Sequence, residues 1–112
     1  MATLARPLGA ALLALALGAC TQTASRPAAP PPGAVPGVTP NTFAMPGGTG
    51  CSAEVARFHA VLKNDVDTGN VGQGVYDRAN GDLRRADAAC AAGRDGEGRS
   101  ILAATKSRFG YP

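Results

Sequence analysis

Seven prolines lie between Thr21 and Gly50 and none between Cys51 and Tyr111, which divides the chain into a part without the means to build a core and a part that has them. Proline removes a backbone donor and fixes φ. The residues around Pro27, Pro30, Pro31, Pro32, Pro36, Pro40 and Pro46 are mostly Gly, Ala, Ser and Thr, and Arg26 is the one charge among them. Such composition favours a solvated, extended or disordered spacer, which at about 3.1 Å per residue reaches roughly 90 Å when fully stretched. The short Pro30-Pro31-Pro32 run reads as part of that spacer and not as a docking motif. Phe43 and Met45 are bulky apolar residues late in it, placed to fold back on the segment that begins at Cys51.

The first nineteen residues have a different character. One basic residue, Arg6, precedes the apolar stretch Leu8 to Leu17, and small residues come next, as in a secretory signal. The apolar run is about half of the roughly 20 residues that a membrane-crossing helix needs. The tetrad Leu17-Gly18-Ala19-Cys20 resembles the bacterial lipobox. That resemblance implies diacylglycerol on the Cys20 thiol and cleavage that leaves Cys20 as the acylated first residue. Several buried acyl chains, at about 0.8 kcal/mol per CH₂, make such an anchor effectively permanent. Thr21 stands where an aspartate would signal retention in the inner membrane, so the implied location is the outer membrane, facing the periplasm. With Cys20 lipidated, the remaining two of three cysteines, Cys51 and Cys90, are left to pair in an oxidising compartment. The expected organisation is a signal peptide over 1–19, a lipidated cysteine and flexible linker over 20–50, and a small helical domain over 51–112.

Within that last segment apolar residues recur every three or four positions. Cys51, Val55, Phe58, Leu62 and Val66 predict a first helix from about Ser52 to Asp67, with Ser52 capping its start and Gly69 closing its end. Val71, Val75, Ala79, Leu83, Ala86 and Cys90 predict a second, running to Ala92 before Gly93. Asn70 and Gln73 have the spacing of a capping box at its start. Gly72, Gly74 and Gly81 weaken this helix by about 1 kcal/mol each relative to alanine. Arg78, Asp82 and Arg85 sit at i,i+4 and i,i+3 spacings and read as a solvated face. Cys51 lies 19 residues before Asn70 and Cys90 lies 20 after it. In an antiparallel helical hairpin, residues equidistant from the turn share one height, so the two sulfurs should meet at its open end. A third helix is expected from about Gly96 to Phe109, capped by Asp95, with Ile101, Leu102, Thr105 and Phe109 facing the hairpin and Gly110 ending it. The predicted fold is all-α, a three-helix bundle on a disulfide-stapled hairpin. Large apolar side chains are few, so the staple should be required for folding.

Chemistry is harder to find. His59 is the one histidine and lies at the edge of the first apolar stripe, which suits packing better than catalysis. No metal site is expected, because the cysteine spacing lacks C-x-x-C and histidine partners are missing. Gly93 to Gly98 is too short and too poor in acids for an EF-hand and reads as a flexible connection. Although the pI is near 9.1, residues 51–112 carry nine basic and eight acidic side chains, an interspersed pattern that points away from nucleic acid. Arg94, Arg99, Lys106 and Arg108 leave a mildly basic third helix, and Arg99, Lys106, Arg108 and Tyr111 are the candidate binding residues. The functional expectation is a non-catalytic binding or structural lipoprotein of the cell envelope without a cofactor. Its expected partners are the membrane, through the lipid, and an envelope protein or peptidoglycan. Two alternatives are a toxin-like lytic or entry-blocking lipoprotein acting on the membrane, and a small hydrolase using His59.

Overall fold

The computed structural model describes residues 35–112, so the signal segment, Cys20 and residues 21–34 of the spacer lie outside the described residues. Three helices occur in order: α1 over Cys51–Asp67, α2 over Gln73–Ala91 and α3 over Asp95–Arg108. Among the described residues there are no strands. Val55, Phe58 and Leu62 of α1 meet Ala79, Leu83 and Ala86 of α2 and Leu102 of α3 in one core. The predicted stripes are therefore the buried faces, with Val66, Val71 and Val75 half-buried at the turn end. Alanines at 79, 86 and 89 keep the buried face of α2 narrow, and α3 packs more extensively on α2 than on α1.

Cys51 and Cys90 form a disulfide with their Cα atoms 5.5 Å apart, at the open end of the hairpin where the symmetric spacing puts them. Its loop has a sequence separation of 39. Closing a loop of that size contributes about 4 kcal/mol in the chain-entropy model, comparable to the whole net stability of a small domain.

Helix ends and helix starts agree with the sequence unequally. Gly69, Gly93 and Gly110 all adopt positive φ just past a helix, as expected. After α2 the Gly93 and Arg94 amides donate to Cys90 O and Ala89 O, and after α3 the Gly110 and Tyr111 amides donate to Ser107 O and Lys106 O. Both are Schellman closures, which need the left-handed conformation that glycine adopts without strain. None of the three starts has the expected side-chain cap. Ser52 lies inside α1, whose N-cap is Gly50. Asn70 donates to Thr68 Oγ1, and Gly72 is extended at ψ 151, so α2 starts at Gln73 without a capping box. Asp95 is the first residue of α3, not its cap. Of the stretch read as a flexible connection, Asp95 to Gly98 is thus helix, and Gly98 is buried.

The end of the proline-rich segment lies back along α1, in the opposite direction to the helix. The Gly37 amide donates to Thr68 O at 2.7 Å, Asn64 Nδ2 donates to Thr39 Oγ1 at 3.0 Å, and Arg57 Nη1 donates to Gly48 O at 3.0 Å. Half-buried Phe43 sits in a depression with Ala60, Asn64 and Thr68. Met45, although 49% exposed, lies beside Phe58, Val61 and Leu102. The strap held in this way spans residues 37–48 and leaves the bundle at the turn between α1 and α2.

Candidate functional site

Three of the four basic residues expected to give the third helix its basic surface, Arg94, Arg99 and Arg108, are instead ties between or within elements. Arg99 Nε donates to both carboxylate oxygens of Glu54 on α1, at 3.1 and 3.2 Å, and Arg99 Nη1 lies 4.0 Å from Asp95. Arg108, in the last turn of α3, donates to Asp82 Oδ2 of α2 at 2.8 Å. Arg85 donates to the other oxygen of the same carboxylate. Asp82 is 9% exposed, so it is not the solvated residue its spacing suggested. It faces the crossing with α3, where a partner from distant sequence completes its contacts. Arg94 pairs within its own helix turn with Glu97 at 2.7 Å. The basic surface foreseen on the third helix is in this way largely neutralised by neighbouring carboxylates.

Lys106 lies over the Phe58 ring, 6.0 Å from its centroid. Tyr111 meets the same ring edge-on, with centroids 4.9 Å apart and planes at 77°. Its hydroxyl donates to Asp65 Oδ2 at 2.6 Å. Burial first, then the Asp65 hydrogen bond and charge, hold the phenol proton well above its ordinary range. Tyr111 therefore closes the end of the core. The four candidates do not converge: Arg99 lies toward the disulfide end, while Lys106, Arg108 and Tyr111 succeed one another toward the turn end.

The side chains that do converge lie between α1 and α2. Val55, Ala56 and His59 on one helix face Asn80, Leu83, Arg84 and Asp87 on the other across a groove of about 370 Å³. On α2 these four recur at the three- and four-residue spacing of a single stripe. Val55 and Leu83 are buried and form the floor. His59 is half-buried, and its Nε2 lies 3.4 Å from Tyr76 Oη. Arg84 and Asp87 are exposed, and neither enters an ion pair among the described residues. Of this set the sequence points to His59 alone. The pattern that could have found the rest is the polar stripe Asn80, Arg84 and Asp87 flanking the apolar one on α2. Among the described residues no group of three or more His, Cys, Asp or Glu side chains is placed to hold a metal ion. No helix of the described residues is long and apolar enough to cross a membrane.

No family model, curated protein or solved structure matches the chain.

Proposed function

We propose that this chain is a small lipid-anchored protein of the bacterial cell envelope, in which a stapled helical module acts by binding or by structural support. The observation that carries the reading is the Cys51–Cys90 disulfide. Such bonds persist in oxidising compartments, and small exported domains rely on them where the core alone is insufficient. An exported protein needs a signal, and Met1 to Ala19 supplies a segment of that character. The pairing also leaves Cys20 as the one cysteine over, at the position where the lipobox-like tetrad puts the acylated residue. The strap supports a display role, because the chain meets the domain at the turn between α1 and α2, at the end away from the disulfide. Binding or support is favoured over a His59 hydrolase because the side-chain partner of the imidazole is a tyrosine hydroxyl rather than an orienting carboxylate.

Metabolic labelling with palmitate in the native host tests the anchor, with the intact chain and Cys20→Ser side by side. Label and membrane association that both disappear on substitution support the reading. Label that survives it refutes the anchor. Crosslinking in the intact envelope, with identification of protein and glycan partners, tests the binding role, and a chain that crosslinks to nothing contradicts it.

A further inference from the structure

The groove between α1 and α2 is the place where uncommitted charge meets exposed concave surface. In a three-helix bundle each pair of helices leaves one outer groove. Met45 of the strap lies in the groove between α1 and α3, and α3 packs most extensively on α2. The α1–α2 groove has no such cover among the described residues. Its volume of about 370 Å³ falls within the range of small-ligand sites, roughly 300–1,000 Å³. An apolar floor of Val55 and Leu83 lies beneath a rim that carries one cation, Arg84, and one anion, Asp87. These two stand three residues apart on one helix, where Cβ atoms are about 5–6 Å apart. Asn80 and His59 add hydrogen-bonding side chains at the same mouth.

We propose that this groove binds a ligand bearing an ammonium and a carboxylate on one carbon, joined to a short aliphatic chain, in the form of the free diaminopimelate end of a cell-wall stem peptide. The identification of the source rests on the envelope location proposed above. The carboxylate meets the Arg84 guanidinium, which matches its planar, two-oxygen geometry, and the ammonium meets Asp87. The aliphatic chain lies on Val55 and Leu83. A lone anion would be repelled by Asp87 and a lone cation by Arg84, so the pair selects for a zwitterion. No bond is made or broken, and the site holds its ligand without changing it.

The test uses the exported full chain, purified in detergent and titrated with the tripeptide L-Ala-γ-D-Glu-meso-diaminopimelate while amide resonances are monitored. Saturable shifts centred on His59, Asn80, Arg84 and Asp87 are expected. Arg84→Gln and Asp87→Asn should each weaken binding by about tenfold or more, because each removes a charge-assisted contact. Lys63→Gln, outside the groove, should leave binding unchanged. The same peptide acetylated only on the free diaminopimelate amine should bind as poorly as the Asp87→Asn variant binds the parent peptide. The proposal is overturned if millimolar peptide moves no groove resonance, or if Arg84→Gln binds as the parent does. It is also overturned if free alanine binds as well as the tripeptide. Peptide binding with loss of palmitate labelling would refute the anchor and leave the groove standing, whereas labelling without peptide binding would do the reverse.

Discussion

Gly98→Ala should destabilise the bundle even though it replaces a helical glycine with the best helix former. A Cβ built on Gly98 meets Cys90 Sγ at 2.5 Å, Cys51 Sγ at 2.7 Å and Ala86 O at 3.0 Å. Heavy atoms in good contact sit about 3.5–4.0 Å apart, so α3 would have to move away by roughly 1 Å. None of the three obstacles is the far end of a flexible side chain: two are sulfurs of one disulfide and the third belongs to the backbone of α2. Contacts this short place the cost in the upper part of the overpacking range, about 2–3 kcal/mol, and the gain in helix propensity returns about 1 kcal/mol, which leaves a net loss of about 1–2 kcal/mol. In a domain this small each kcal/mol moves Tm by about 4–8 °C, so a fall of roughly 5–15 °C is expected. Gly96 and Gly81 provide the comparison, because a Cβ at either finds nothing within 4 Å. Gly96→Ala and Gly81→Ala should each raise Tm by a few degrees. The assay is thermal unfolding of the oxidised proteins, monitored by far-ultraviolet circular dichroism. A Gly98→Ala protein as stable as the Gly96→Ala protein would refute the claim that α3 is seated directly on the disulfide.

Reduction of Cys51–Cys90, or Cys90→Ser, should lower stability by about 4 kcal/mol and leave the chain largely unfolded at 37 °C, measured by denaturant titration with and without reductant. Because the folded state holds the Tyr111 proton more tightly than the unfolded state, whose phenol titrates near 10.0, the parent has this stabilisation in full below pH 10 and loses it as pH rises beyond. Tyr111→Phe should therefore cost about 1 kcal/mol at neutral pH and lose less stability than the parent above pH 10, as read by urea melts across that range. Phe43→Ala together with Arg57→Ala should release the strap, so that limited proteolysis cuts within residues 37–50 much faster while Cys51 to Pro112 stays intact; unchanged cleavage would show that the strap is held by other contacts.

The sequence carries some of this architecture openly and hides the rest, and the division has physical causes. Three helices, their inner faces and the disulfide emerge from periodicity and chain geometry, both of which are set locally. The ends at Gly69, Gly93 and Gly110 are legible because a left-handed residue past a helix is a conformation that few other residues adopt at so little cost. The starts are not, because a cap depends on one side chain choosing the helix amide over every competitor, and Asn70 bonds to Thr68 instead. Gly98 and Asp82 mislead for a shared reason. Each looks local in sequence, as part of a glycine-rich loop or of a charged face, but each derives its role from a partner brought in by tertiary packing: the disulfide for Gly98, Arg108 for Asp82. The strap is hidden similarly, since proline-rich composition describes an isolated chain and says nothing of a neighbouring helix that offers Thr68 O and Arg57 as partners. Of the groove, His59 alone stands out in the sequence, because Arg84 and Asp87 look like any solvated pair until the packing of α1 against α2 sets them on the rim of one groove.

The most direct measurement is the intact mass of the protein isolated from the envelope of its own host, recorded with alkylating agent before and after reduction. The predicted species begins at Cys20, carries diacylglycerol, and accepts two alkyl groups only after reductant has opened the Cys51–Cys90 bond. A chain that retains its first nineteen residues, carries no lipid and alkylates at Cys51 and Cys90 without reductant would contradict it.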